Sequence, residues 1–426
     1  MNRAFYSLSL YLLSPLIWLY FLYRGFSDPR YLKGLKQRLG YLPVIFSKGG
    51  IHIHCASVGE MIAATPLIKK IVARYHDKPL TITTTTPTGK SVAAKLIKSL
   101  DHPNVQHCYL PIDWSGACNR FLNQIEPKLC ILMETELWPN FLNQLSQKNI
   151  PVLLANARLS NASLKKYQKH LKLSEEIFST ISLITAQYES DKNNFQRLSV
   201  PENKIELVGN IKFDIEFSQE LKNSQRQLKQ EWTANRSSWI AASIHPDEFD
   251  AILTAHKKLL LLFPDLLLIA VPRHPEFFDT LKQACKKHHL NFISRSENVR
   301  PNESHTVLVG DTMGELTLIC STADVAFVGG SLIERGGHNP LEPAACGLPV
   351  IMGQSDYNFS DVCKIMKKLE VLEVIADEES LFNSIKTLFS NPDLLNKKSL
   401  TTKKLFEKNR GAVDKIMKSV DTFLNN

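Results

Sequence analysis

The first stretch of the chain stands apart from the rest: from Ala4 to Tyr23 it reads AFYSLSLYLLSPLIWLYFLY and carries no charge. As one helix this run rises about 30 Å, the thickness of a hydrocarbon core. Trp18, Tyr20, Phe21 and Tyr23 crowd its C-terminal end, where interfacial anchors belong. No small-residue cleavage site follows, so the run reads as an N-terminal membrane anchor helix and not as a removed signal. Pro15 and the serines within it leave a helix lying in the inner leaflet as the alternative to a span. The basic residues that follow put the remainder on the cytoplasmic side.

Beyond the anchor, apolar positions fall into short continuous runs separated by amphipathic stretches. Ile51–Cys55, Leu80–Thr84, Leu129–Met133, Val152–Ala155 and Leu183–Ala186 read as buried strands of a first half. Trp239–Ala242, Leu266–Val271, Thr306–Val309, Val325–Val328 and Pro349–Met352 do the same for a second. Continuous apolar strands alternating with helices indicate parallel sheets covered on both faces. The polar stretch from Asp214 to Ser238 reads as the linker. The expected organisation is therefore α/β: an anchor over 1–24, a Rossmann-like domain over 25–214 and another over 215–426. Two doubly wound domains with their ligand loops facing a shared cleft form the architecture called GT-B.

Composition agrees. With 426 residues, 44% of them hydrophobic, the chain is too long for one ordinary core. Its eight cysteines are scattered, form no C-x-x-C pair and sit in apolar runs, as buried thiols of a reducing compartment do. The net charge of +9 is local. Six Lys or Arg against one acid lie between Arg24 and Lys48, and eight basic residues lie between Pro392 and Lys418. Such stretches are either solvated faces or attracted to an anionic leaflet. No zinc-finger, RNP or basic-zipper pattern accompanies them, so nucleic acid is not an expected partner.

Candidate chemistry sits at strand ends. In His54-Cys-Ala-Ser-Val-Gly-Glu60 a strand turns into a helix with Glu60 in its first turn; the carboxylate either complements the helix dipole or serves as a general base. Met133-Glu-Thr-Glu-Leu-Trp-Pro-Asn140 puts Glu134 and Glu136 after a buried strand, and alternation directs only one of them into the site. Lys212, in Gly209-Asn-Ile-Lys-Phe-Asp214, closes the first half. Thr86-Pro-Thr-Gly-Lys-Ser91 lacks the first glycine of a P-loop. In the second half Arg273 follows an apolar strand, and Gly310-Asp-Thr-Met-Gly-Glu-Leu316 follows another. The segment from Phe327 to Gly353 has two glycine pairs, then Asn339 as an expected N-cap, Pro340 as the first helical residue and Glu342 as its capping partner. That helix start is also a phosphate cradle. No D-x-D metal motif and no G-x-G-x-x-G fingerprint occurs, so neither a metal nor a cofactor is expected.

Taken together, SVGE (57–60), TPTG (86–89), METELWPN (133–140), NARLS (156–160), KFD (212–214), VPRHPE (271–276), VGDTMGEL (309–316) and FVGGSLIERGGHNPLE (327–342) resemble, in order, the Kdo (3-deoxy-D-manno-octulosonic acid) transferases of lipopolysaccharide synthesis. The resemblance implies a GT-B fold at the bacterial inner membrane, a CMP-Kdo donor and a lipid A precursor as acceptor. It implies Glu60 as catalytic base and Glu134 and Lys212 as transition-state stabilisers. CMP contacts carry over to Pro272, Arg273, Met313, Gly314, Glu315, Asn339, Pro340, Leu341 and Glu342. Ser243-Ile-His-Pro-Asp-Glu248 and Phe277 depart from the family pattern. An inverting, metal-independent transfer follows; the rival is another GT-B lipid glycosyltransferase with a different nucleotide sugar. All these residues lie beyond Arg24, so the chemistry is expected not to need the anchor.

Overall fold

The structure, a computed structural model, describes residues 2–42, 46–233 and 236–425. It divides into two compact units, Met1–Asp214 with Gly411–Asn426, and Ile215–Arg410.

The first unit is built on a seven-stranded, all-parallel sheet: β1 (Ile51–His54), β2 (Leu80–Thr84), β3 (Val105–Tyr109), β4 (Leu129–Met133), β5 (Val152–Ala157), β6 (Leu183–Ala186) and β7 (Ile205–Leu207), in the order 3-2-1-4-5-6-7. β1 pairs with β2 on one side and β4 on the other, Ile51 facing Leu80 and Leu129. The winding reverses between β1 and β4, and at such a switch point the loops leaving the two strands diverge and open a crevice for ligand. One face of the sheet packs Ile53, Ile82 and Ile131 against Met61, Leu67 and Ile71 of the helix Val58–Arg74. The other packs Leu132 and Leu154 against Phe121 and Phe141.

The second unit repeats the plan with β8 (Ser238–Ile244), β9 (Leu267–Pro272), β10 (Phe292–Ser294), β11 (Val307–Val309), β12 (Val325–Val328), β13 (Val350–Met352) and β14 (Leu372–Val374), in the order 10-11-9-8-12-13-14. Its switch point lies between β8 and β12.

Three expectations from sequence need correction. The uncharged run is not one anchor helix but two, Arg3–Leu12 and Ser14–Ser27, bent by 53°, and no single described helix is long and apolar enough to cross a membrane. Pro15 explains the break, since its ring clashes with the carbonyl four residues back and cannot sit inside a continuous helix. The stretch expected as a linker contains the helix Gln219–Thr233, whose Trp232 packs with Ile269 and Leu308 in the second unit. Residues 411–426, expected in the second domain, return to the first. Asp214 accepts backbone hydrogen bonds from Gly411 (2.8 Å) and Val413 (2.7 Å) at the start of the helix Ala412–Asn425. Val413, Ile416, Met417 and Val420 of that helix complete the core against the first sheet.

Candidate functional site

At the switch point of the first unit, β1 ends at His54 and the chain turns through Cys55 into the helix Val58–Arg74. Ser57 caps that helix by accepting from Glu60 N at 3.2 Å. The Glu60 carboxyl is folded back: Oε1 accepts from the Ser57 hydroxyl at 2.8 Å and Oε2 from Ala56 N at 2.9 Å. Only 7% of Glu60 is exposed. Burial pushes its pKa up to about 7; the hydrogen bond from Ala56 pulls the other way, and the charges of Glu134 and Glu136 add to the rise. Capping and base-like proton affinity thus coexist, because removal of water outweighs the hydrogen bonds and the helix start.

Glu134 is the residue after β4, on the other side of the switch. It takes a left-handed backbone (φ 56°), a conformation uncommon for a residue with a side chain. Lys212 Nζ meets its Oε1 at 2.8 Å, with the two side chains only 12% and 18% exposed. The lysine is held by a network that motif reading missed. Asn210 Oδ1 accepts from Lys212 N, Asn156 Oδ1 accepts from Ile211 N, and Gln187 Nε2 donates to Asn156 O. Asn156 lies in the NARLS stretch noted above; Gln187 has no sequence signal, since its partners come from other strands. Glu136 is also driven up in pKa by burial, with Glu134 adding to it. Glu60, Glu134 and Lys212 therefore form one electrostatic group in the first unit.

The histidines of β1 do not join it. His52 Nε2 and His54 Nδ1 both lie within hydrogen-bonding distance of Thr83 Oγ1, and burial lowers their pKa values to about 3 and about 4. They are neutral core groups.

In the second unit, loops at the ends of β8, β9, β11 and β12 gather the other candidates. Pro272 ends β9 buried, and Arg273 follows with its side chain exposed. Met313 is 62% exposed beside Gly314 (φ 80°), a backbone that a side chain would strain. Glu315 is tied by the Thr312 hydroxyl (2.6 Å) and by Arg295 (3.2 Å). The expected cap is shifted by one residue. The helix is Leu341–Ala345, preceded by Pro340, while Asn339 Oδ1 accepts from Leu341 N and Asn339 Nδ2 donates to Glu342 Oε1 at 3.0 Å. With five residues its dipole is small, so the cradle rests on Asn339 and the glycine-rich approach.

Two residues left unassigned from sequence prove central to that loop. Glu248, 1% exposed, accepts from His245 N, Gly330 N, Ser331 N and Leu332 N, pinning the β12 exit to the β8 exit. His245 stacks on His338 with ring centroids 5.1 Å apart and their Nε2 atoms at 2.8 Å. Among the described residues no three His, Cys, Asp or Glu side chains converge as a metal site would require.

Two doubly wound sheets, with carboxylates and a lysine near the strand ends of one and glycine-rich loops at the strand ends of the other, define an α/β protein of the class that binds ligands at the ends of parallel strands. A family model described as 3-deoxy-D-manno-octulosonic-acid transferase (kdotransferase) matches residues 33–215. The 3-deoxy-D-manno-octulosonic acid transferase of Haemophilus influenzae is 40% identical over 427 aligned residues, covering 100% of this chain and 99% of that one. The Bordetella pertussis enzyme of the same name is 31% identical, covering 85% and 86%. Among solved structures, the C-terminal CMP-Kdo binding domain of WaaA from Acinetobacter baumannii aligns at 30% identity with a TM-score of 0.42, over 44% of this chain and 98% of that one. The chain belongs to the 3-deoxy-D-manno-octulosonic acid (Kdo) transferases, a family of glycosyltransferases.

Proposed function

We propose that this chain moves Kdo from CMP-Kdo to a lipid A precursor at the bacterial inner membrane, with inversion and without a metal ion. The observation that carries the reading is the Glu60 carboxyl, buried at the first switch point with a proton affinity near neutrality and grouped with Glu134 and Lys212. In this reading the fold is of GT-B type, with acceptor chemistry on the first unit and donor binding on the second. A hydroxyl of the acceptor attacks the anomeric carbon of Kdo, and its proton passes to Glu60. The new carbon–oxygen bond forms as the bond to phosphate breaks, and CMP leaves as an anion. Glu134 offsets positive charge at the sugar, and Lys212 holds negative charge on the carboxylate or phosphate. Pro272, Arg273, Met313, Gly314, Glu315 and Asn339 to Glu342 hold CMP. The bent pair of N-terminal helices, with Leu12, Leu16, Tyr23 and Phe26 exposed, associates with the leaflet, aided by the basic residues that follow.

The test is incubation of purified protein with CMP-Kdo and tetraacylated lipid A precursor, with products weighed by mass spectrometry. A mass gain of one or more Kdo residues with matching CMP release is expected; CMP release without lipid product refutes the acceptor assignment. Arg273→Ala should weaken CMP binding by about 1.5–3 kcal/mol, the range of a charge-assisted hydrogen bond. Unchanged affinity in calorimetry would remove Arg273 from the donor site.

A further inference from the structure

The N-terminal helices and the loops leaving β2, β3 and β4 border a cavity of about 570 Å³ in the first unit that is open to solvent on one side. Leu10, Leu13 and Ile17 wall it on one side, Leu110 and Ile112 on another, and Trp138 closes a third. Arg38 also borders it. This arginine is 4% exposed, its guanidinium lying 4.7 Å from the Phe21 ring centre and 4.3 Å from that of Tyr109. Nη2 donates to Thr85 O at 2.8 Å, while Nε is buried and, among the described residues, has no hydrogen-bond partner. Asp113 borders the same cavity, yet its carboxylate is spent on Asn140 N and Phe141 N. Two aromatic faces and one carbonyl hold the guanidinium, and a buried cation with an unsatisfied N–H gains from an added acceptor oxygen.

The cavity adjoins the candidate site through a short chain of hydrogen bonds. Arg38 donates to Thr85, the Thr85 hydroxyl donates to Ala56 O at 2.7 Å, and Ala56 N donates to Glu60. Trp138 belongs to the loop that carries Glu134 and Glu136. Toward solvent, Leu13 and Leu16, both lining the cavity, are 49% and 60% exposed and continue the outward apolar face of the two helices.

We propose that this cavity takes one acyl chain of the lipid acceptor, the tail leaving between the N-terminal helices and Arg38 donating to a phosphate or acyl carbonyl oxygen at its head. The proposal rests on the acceptor reading above, and names where the lipid is held. An apolar wall accounts for the chain, a buried cation with an unsatisfied N–H accounts for the head, and the hydrogen-bond chain sets the head beside Glu60.

The test uses the full chain in detergent and a tetraacylated precursor carrying a photoactivatable group on one acyl chain. After irradiation, labelled peptides should come from residues 10–17 and 110–112, and excess phosphatidylglycerol should not protect them. Ile17→Trp, which fills the cavity from a partly exposed helix, should abolish that labelling and raise KM for the acceptor about tenfold or more, the effect of losing a few buried methylenes. Arg38→Gln should raise the same KM, Arg38→Lys less so, with KM for the donor unchanged; thermal melts check that the Arg38 variants fold. Labels elsewhere, or an unaltered acceptor KM in Ile17→Trp, would overturn the proposal while leaving Kdo transfer intact. Protection by phosphatidylglycerol would overturn it too, making this a bilayer-lipid site. Labelling needs no turnover, so a wild-type chain that labels in the cavity but transfers nothing would sink the functional reading instead.

Discussion

Glu60 shows what a single buried carboxyl imposes on an enzyme. Its pKa near 7 lies above the ordinary value of 4.5, so the folded state holds a proton that the unfolded state has released. Stability is then lost as pH rises from about 4.5 to about 7, at up to roughly 1.4 kcal/mol per pH unit. Glu60→Gln should escape that loss: in denaturant titrations at pH 5 and pH 7, the wild type should fall relative to the variant. Activity runs the opposite way, because a base must be unprotonated. Transfer should rise with pH through about 7 and level off above it, and Glu60→Gln should be slower by about 10²–10⁴-fold. A flat wild-type profile between pH 5 and 8 would exclude Glu60 as the base. Lys212 carries a second prediction. Lys212→Met leaves the Glu134 carboxylate half-buried without its partner and should cost about 2 kcal/mol of stability. Adding Glu134→Gln should recover the stability but not the transfer; recovery of both would make the pair purely structural. These three residues could be singled out in the sequence because each stands in a distinctive motif in the segment that follows a strand. Glu248 and Asn156 were not, because what they grip comes from other strands: Glu248 reaches Gly330, 82 residues away.

Among the elements, legibility followed position in the sheet. The strands that apolar runs failed to announce are β3, β7, β10 and β14, the four edges of the two sheets. An edge strand has a neighbour on one side only, and polar residues are tolerated along it: Gln106 and His107 in β3, Glu206 in β7, Glu373 in β14. Interior strands are covered on both faces and are mainly apolar, and the polar residues they hold, such as His52 and His54 in β1, pair with neighbours such as Thr83. The N-terminal helices hold a further surprise. Ser7 donates to Asn140 Oδ1 at 2.7 Å, Arg3 reaches the same oxygen, and Phe21 packs on Arg38. Asn140 lies in the first turn of the helix that follows Glu134 and Glu136, so the N-terminal segment is tied to a loop of the candidate site. The sequence alone put all the chemistry beyond Arg24 and predicted that it would survive loss of the anchor. The packing predicts otherwise: removal of residues 2–27 should lower the melting temperature by about 5 °C or more and reduce transfer even to detergent-dispersed acceptor. Full activity of the truncated chain in detergent would show these contacts to be dispensable.

For the molecule as a whole, transfer without a divalent ion is the broadest expectation of the proposed chemistry, since Arg and Lys can stabilise a leaving phosphate in its place. Turnover should be unchanged by EDTA, and loss restored by magnesium would refute the scheme. The return of the last helix to the first sheet has a consequence for how the protein is made. Residues 215–410 form an uninterrupted unit and can fold as soon as they emerge, whereas the first unit lacks Val413, Ile416, Met417 and Val420 until the whole of the second unit has been made. At about 5–20 residues per second, roughly 10–40 s separate the emergence of Asp214 from that of the closing helix. Through that interval the half of the protein made earlier waits, one side of its core open, on a helix encoded beyond the second unit. The ribosome thus delivers Glu60 and Glu134 well before the helix that completes the core of their own unit.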